Sequence, residues 1–315
     1  MTSEFDLIAR YFTRPSPAAL LGVGDDAALL QPAPGMVLAV SSDMLVSGRH
    51  FFADADPYAL GHKTLAVNLS DLAAMGARPR WATLSLALPK VDEGWLEAFS
   101  AGFFDIAQRF NVDLVGGDTT SGPLNLSVTV IGEVPAQQAL RRDGAKVGDE
   151  IWVSGELGGA ALGLRYLQGK VNLSEPQAAA CLQRLHQPQP RVALGMALRG
   201  VASAAIDVSD GLLADLGHVL QRSGLGAQLE LALIPAATAL DDSEVALACL
   251  LAGGDDYELC FTAHPDHAAG VFSAAASAGV SVSRIGVLTA TPGCRVLAAN
   301  GKSIEMKVRG YDHFG

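Results

Sequence analysis

The sequence predicts a mixed α/β protein built as two domains, and three observations carry that reading. The chain has 315 residues, half of them apolar, which is long for one core and suits two domains of roughly 150 residues. Short strand-like runs alternate with helical stretches from end to end, the pattern of a sheet covered by helices. A polar, basic segment without periodicity, residues 135–148, separates two of the strand-like runs. The boundary falls there, giving domains 1–136 and 147–315.

Strands are expected at 36–40, 81–88, 112–115, 124–134, 150–154, 204–208, 228–233, 258–262 and 280–287. Each is short, apolar and rich in β-branched residues. Helices are expected at 57–75, 93–110, 159–167, 175–185, 191–199 and 211–221. The first is the best specified. Asp56 stands at the N-cap and Pro57 at the first helical position, a favoured pairing. Leu65, Leu69 and Leu72 form one stripe at helical spacing, and Thr64, Asn68 and Asp71 a second beside it. Asp71 therefore lies at the margin of a buried face.

Composition narrows the function. A net charge of −11 argues against nucleic acid or an anionic membrane surface as partner, since both need clustered Lys and Arg. A phosphorylated ligand would have to meet this protein through cations. Cys181, Cys249, Cys260 and Cys294 make no C-x-x-C pair, so they read as reduced core residues of a cytoplasmic protein. The first residues carry acids and no long apolar run, unlike a secretory signal. The longest uninterrupted apolar stretch, 245–252, is far shorter than the ~20 residues a membrane span requires.

Against that background the aspartates stand out. Asp25 and Asp26, Asp43, Asp118, and Asp207 with Asp210 each follow a strand-like run or a turn of small residues, and Asp71 joins them from its helix. A lone Asp in such a place usually caps a helix or closes a turn, and Asp210 stands where it could cap the 211–221 helix. Five sites of one pattern favour a different reading, ligation of Mg²⁺, a hard cation held by carboxylates, water and substrate phosphates. Ser41, Ser42 and Ser209 add oxygens beside them, and no His/Cys cluster competes for a softer metal. Gly116 and Gly117 before Asp118 would let backbone approach a phosphate. The P-loop and G-x-G-x-x-G patterns are both missing. Arg141 and Arg142 are either solvated linker charges or a phosphate clamp.

Taken in order, GVGDDAALL, VSSDMLVSGRHF, KTLAVNLSDLAAMGARP, LVGGDTTSGPL, RRDGAKVGDEIWVSG, AIDVSDGLLADLGH, AGGDDYELCF and GYDHF resemble the thiamine-monophosphate kinases. That family belongs to the superfamily of aminoimidazole ribonucleotide synthetase and selenophosphate synthetase. The resemblance runs from Glu4 to Phe314. It implies two α/β domains, with N-terminal domains pairing through their sheets in a homodimer. It implies ATP as co-substrate and several Mg²⁺ ions on Asp26, Ser41, Ser42, Asp43, Asp71, Asp118, Asp207 and Asp210. Gly117, Asp118, Arg142 and Ser209 would contact ATP; His50, Asp255 and Tyr311 would contact thiamine monophosphate. Asp43, Asp71, Asp118 and Asp210 would be the catalytic set. One departure is Asp255, where the family's segment often carries Glu.

The implied reaction converts ATP and thiamine monophosphate to ADP and thiamine diphosphate. The acceptor phosphate has its second pKa at about 6 and is already ionised at neutral pH, so the reading needs positioning and charge neutralisation and no general base. The alternatives are a superfamily enzyme with another small acceptor, a silent ATP- or metal-binding module, and a metal-dependent phosphohydrolase.

Overall fold

The computed structural model describes residues 4–241 and 243–304, and it divides into two compact units. The first comprises the chain up to Gln137 except Ala73–Gly76, and the second comprises Ala73–Gly76 and the chain from Gln138 onward.

In the first unit, α1 (Glu4–Leu7) passes directly into a π-helical turn at Ile8–Phe12 that buries Tyr11 and Phe12. A loop leads to β1 (Met36–Val46), followed by α2 (Pro57–Ala74), β2 (Arg78–Leu88), α3 (Glu93–Phe110), β3 (Asp113–Ser121) and β4 (Asn125–Pro135). The sheet order is β1-β4-β2-β3. β2 and β3 are parallel and joined through α3, while β4 is antiparallel to both of its neighbours. That is the expected connection, because parallel strands need a crossover element.

The two long helices start as their sequences require. Asp56 accepts the N–H of Ala59 at 2.8 Å, and Asp92 accepts that of Trp95 at 3.0 Å, each satisfying an otherwise unpaired helix donor. α3 buries Leu96, Phe99, Phe103, Ile106 and Ala107, one face at helical spacing. α2 is enclosed more broadly, from Leu60 to Ser70, so its polar residues reach the site from inside the unit.

Two strands run further than their apolar runs. β1 continues through Ser41, Ser42 and Asp43 to Val46, and β3 through Gly116–Gly117–Asp118 to Ser121. The polar motifs therefore lie within paired strands, not in turns beyond them. Backbone pairing with β4 and β2 along the full length supplies the hydrogen bonds that side-chain polarity does not forbid.

The second unit runs β5 (Glu150–Ser154), α4 (Gly159–Leu167), α5 (Glu175–His186), α6 (Val192–Ala197), β6 (Ala204–Asp207), α7 (Leu212–Ser223), β7 (Gly226–Glu230), α8 (Glu244–Ala252), β8 (Leu259–Ala263), α9 (Ala268–Ala278), β9 (Val282–Thr289), β10 (Gly293–Leu297) and β11 (Ser303–Ile304). Its sheet order is β11-β10-β7-β9-β5-β8-β6. The core gathers Ile151 and Val153 of β5, Ile206 of β6, Leu212, Leu216 and Val219 of α7, and Ile285 and Leu288 of β9. α1, the π-helical turn at Ile8–Phe12, α8, α9, β10 and β11 were not among the elements the sequence led us to expect.

Candidate active site

The first unit carries two groups of the expected residues. On β1, strand alternation puts Ser41 and Asp43 on one face and Ser42 on the other. The Ser41 hydroxyl donates to Asp71 Oδ2 at 2.5 Å. The backbone N–H of Asp43 donates to Asn68 Oδ1 at 2.9 Å, and Asn68 Nδ2 donates to the Thr64 carbonyl at 3.0 Å. The polar stripe of α2 thus closes the outer edge of β1, and it brings Asp71 to Ser41. The Ser42 hydroxyl instead meets β4, donating to the Val128 carbonyl at 3.1 Å with Thr129 Oγ1 at 3.0 Å.

The second group lines a cleft of about 530 Å³. Asp26, Gly117 and Asp118 border it, with Ile8, Phe12 and Leu84 among its apolar walls. Gly117 is required where it stands. Its φ is +148°, and a Cβ there would lie 1.8 Å from the Leu84 carbonyl oxygen, so no side chain fits between β2 and β3.

These groups are separate. Asp43, Val128, Leu84 and Gly117 form one row across the sheet, so three strand spacings, roughly 14 Å, separate the Asp43 and Gly117 positions. Among the described residues, no three His, Cys, Asp or Glu side chains are close enough to enclose a metal ion together. The oxygens suit a hard cation, and its remaining ligands would be water and phosphate, the usual arrangement for Mg²⁺.

His50 lies after β1, where the Val46 N–H donates to its Nδ1 at 2.9 Å. A ring nitrogen that accepts carries no proton, so the neutral ring holds its proton on Nε2. His50 is thereby prepared as an Nε2–H donor.

In the second unit, Asp207 ends β6 and is buried. Ser209 and Asp210 follow in the turn before α7. The N-cap position of that helix is taken by Gly211, at φ +115°, and not by Asp210. The capping is done from within the helix. Asp215 Oδ2 accepts the N–H groups of Ser209, Asp210 and Gly211, each at 3.0 Å. Burial pushes the Asp215 carboxyl up to about 7, with the negative charge of Asp210 adding to the rise and the N–H donors opposing it. The sequence reading passed over Asp215. Its signal was a charged residue on the apolar stripe of Leu212, Leu216 and Val219.

Asp255 follows the Gly253–Gly254 pair of the AGGDDYELCF segment. Its φ is +68° and that of Tyr257 is +50°, an uncommon left-handed backbone for side chains of this kind. The Asp255 N–H donates to the Ser209 carbonyl and the Tyr257 N–H to the Val208 carbonyl, both at 2.8 Å. The Tyr257 hydroxyl donates to Asp255 Oδ1 at 3.1 Å. The segment carrying Asp255 is therefore backbone-bonded to the turn carrying Ser209, a link that no sequence spacing shows. Asp256 takes a structural part: its Oδ2 accepts the Gly158 N–H at 2.7 Å at the start of α4, while Oδ1 is enclosed without a hydrogen-bond partner. Burial pushes this carboxyl up to about 8.

Arg142 is exposed, and its carbonyl accepts from the Ser223 hydroxyl at 3.0 Å. Arg141 pairs with Asp143 through two hydrogen bonds of 2.8 and 2.5 Å, which leaves Arg142 the better placed of the two to meet an anion. Tyr311 lies outside the described residues.

Two family models cover most of the chain. Residues 24–134 match the AIR synthase related protein N-terminal domain and residues 146–298 its C-terminal domain. The thiamine-monophosphate kinase of Escherichia coli (strain K12) is 46% identical over 318 residues, covering 99% of this chain and 98% of that protein. Among solved structures, the thiamine-monophosphate kinase of Stenotrophomonas maltophilia K279a is 49% identical, with a TM-score of 0.85 and 95% of each chain covered. AaThiL complexed with AMPPCP and TMP is 30% identical, with a TM-score of 0.79 over 93% of this chain and 92% of that one.

Proposed function

The chain belongs to the thiamine-monophosphate kinase family, and we infer from that premise that it transfers the terminal phosphoryl group of ATP to thiamine monophosphate, forming thiamine diphosphate. The observation that carries this is identity over essentially the whole length of a thiamine-monophosphate kinase, together with likeness to a structure that holds an ATP analogue and TMP. The test is ADP release with ATP and Mg²⁺, with and without thiamine monophosphate. ADP formed equally with no acceptor, or with free thiamine in its place, would overturn the assignment.

Our reading places Mg²⁺ on Asp26, Ser41, Ser42, Asp43, Asp71, Asp118, Asp207 and Asp210. The donor chemistry supports it, since all are hard oxygens. Those oxygens would hold Mg²⁺, which would supply neutralisation of phosphate charge at the site. Asp43, Asp71, Asp118 and Asp210 form the catalytic set of this reading. The chain's own part is positional. Ser41 holds the Asp71 carboxylate in one orientation. Gly117 keeps backbone close beside Asp118 without a side chain. The apolar wall of Ile8, Phe12 and Leu84 offers the cleft's water-excluding face to a purine. Arg142 and Ser209 add a guanidinium and a hydroxyl for phosphate oxygens.

For the acceptor, His50 presents Nε2–H to the phosphate. Asp255, held by Tyr257, offers its carboxylate to the polar or cationic part of the thiamine. Tyr311 is assigned to the heterocycle, which it would meet with its aromatic face. The incoming phosphate oxygen is ionised already, so no residue of this chain removes a proton from it.

We assign ATP and metal binding and dimerisation to an N-terminal domain of residues 1–136, with residues 147–315 as the C-terminal domain. A homodimer through the first sheet is supported by β1, an 11-residue edge strand that exposes Val37, Leu38, Val40 and Met44. Apolar side chains exposed along an edge strand invite pairing. Sedimentation at micromolar concentration tests it, and a monomer contradicts it. A cytoplasmic location agrees with ATP as co-substrate. Among the described residues, no helix is long and apolar enough to cross a membrane.

A further inference from the structure

Phe5, Ile8 and Phe12 all border the cleft of about 530 Å³ that Gly117 and Asp118 also border. Local backbone brings the three to one side. Ile8 is the third residue after Phe5, across the end of α1, and residues at that spacing are neighbours on a helix surface. Between Ile8 and Phe12 the helix widens. The Thr13 N–H donates to the Ile8 carbonyl at 3.0 Å, the i→i+5 bond of a π turn, and turns of this kind recur at functional sites. The members of this apolar rib differ in burial. Phe12 is buried, as is Leu84 on another wall of the cleft, whereas Phe5 is 78% exposed. Among the described residues no other ring stacks on it. A phenyl group left in water contributes little to folding, so packing does not account for Phe5. Gly116 gives a second sign of a ligand. It too borders the cleft, and a Cβ there would meet only Thr83 Cγ2, at 3.9 Å. The fold would accommodate a side chain at 116; a ligand lying close against the backbone would not.

We propose that Phe5 is a base-binding residue of the nucleotide site, its ring stacking on the adenine of an ATP whose phosphates lie toward Gly117 and Asp118. The proposal rests on the reading that those two residues meet ATP. The cleft is divided chemically as that ligand is. Asp26 and Asp118 bring carboxylates, which suit phosphate carried with cations. The rib of Phe5, Ile8 and Phe12 brings apolar surface, which suits an uncharged flat ring. An aromatic side chain and a base attract through their π faces. Ile8 and Phe12 supply the wall behind the base, and Phe5, with its ring uncovered, supplies the face that closes on it.

The test is calorimetric titration of wild type, Phe5→Ala and Phe5→Tyr with AMPPCP in saturating Mg²⁺. Phe5→Ala should raise the Kd about 5- to 150-fold, the range that loss of a base–aromatic stack covers. Phe5→Tyr keeps the ring and should stay within about twofold of wild type. In the kinase assay the loss in Phe5→Ala should appear in the KM for ATP. The kcat and the KM for thiamine monophosphate should move by about twofold at most, since a stack on the base is made equally in ground state and transition state. The melting temperature of the ligand-free protein should shift by less than about 2 °C, because the ring is already in water. A Kd for Phe5→Ala within about twofold of wild type overturns the proposal, and so does Phe5→Tyr binding as weakly as Phe5→Ala. A different result, wild type that binds no AMPPCP, overturns the ATP reading beneath it.

Discussion

Glu258 offers the sharpest test of how the Asp255–Tyr257 segment is held. Its carboxylate is buried just after Asp255–Tyr257, with its side chain 3% exposed against 23% for Arg191. Arg191 Nε donates to Oε2 at 2.6 Å, and Arg191 Nη2 donates to Oε1. The Ser154 hydroxyl donates to Oε2 at 2.5 Å and itself accepts the Leu259 N–H at 2.9 Å. Gly155, at φ +58°, lies against the same carboxylate, and a Cβ there would sit 2.1 Å from Oε1. Glu258→Gln keeps the shape and leaves Arg191 largely enclosed without its counter-charge. Breaking one side of a buried pair costs about 3–5 kcal/mol, and the partial exposure of Arg191 argues for the lower end. The second unit spans about 180 residues, a size for which each kcal/mol moves the melting temperature by about 2–4 °C. The expected loss is therefore roughly 6–12 °C. Differential scanning calorimetry measures it, with Arg191→Met/Glu258→Leu as the companion. The paired apolar replacement should recover much of the loss, because it removes both charges. A Glu258→Gln protein melting within about 2 °C of wild type would show that the pair is not the clamp described here.

Three substitutions test the metal assignments: Asp43→Asn, Asp71→Asn and Asp118→Asn should each lower turnover about 10–100-fold or more, with the melting temperature unchanged or raised because a like charge is gone. Near-normal turnover in all three would overturn the metal assignment. A pH prediction concerns Asp256, whose carboxyl burial raises from 3.8 to about 8. The folded state binds this proton more tightly than the unfolded chain does. The stability it contributes is thus fully present below about 3.8 and is lost as pH rises through about 8. Melting temperature should fall from pH 5 to pH 9, and Asp256→Asn should flatten that slope, leaving the smaller contribution of Asp215, which has the same sign. An unaltered slope in Asp256→Asn removes the residue from the account.

Much of this protein is legible from its residues in order. α3 and α4 begin and end where periodicity and turn residues put them, and β5 does so too. The Asp56 cap forms as its pairing with Pro57 suggests. These features are decided by neighbours within a turn or two, so local sequence contains the cause. α8 was missed because after Glu244 its residues are apolar on every side, Ala246, Cys249, Leu250 and Leu251 being buried, and without a polar face there is no period to read. α9 is built largely from alanine and serine, which weakens the same signal. β1 and β3 were cut short for the opposite reason: polar residues look like the end of a strand. Their partners lie about 90 and 30 residues away in sequence, at Val128 for Asp43 and at Ser85 for Asp118.

What the sequence by itself determined is the chemistry on offer: hard oxygens in an acidic chain, no soft-metal cluster, and an ordered set of motifs that identifies the family. Tertiary structure alone decided which of those oxygens meet. It put Ser41 on Asp71, gave His50 its tautomer, set the Asp43 and Asp118 groups at opposite sides of one sheet, and turned Asp215 inward onto three N–H groups. The physical reason is that carboxylate chemistry is a property of the side chain, whereas proximity is a property of strand register and helix packing. Those are set by backbone pairing and core burial between segments far apart in the chain.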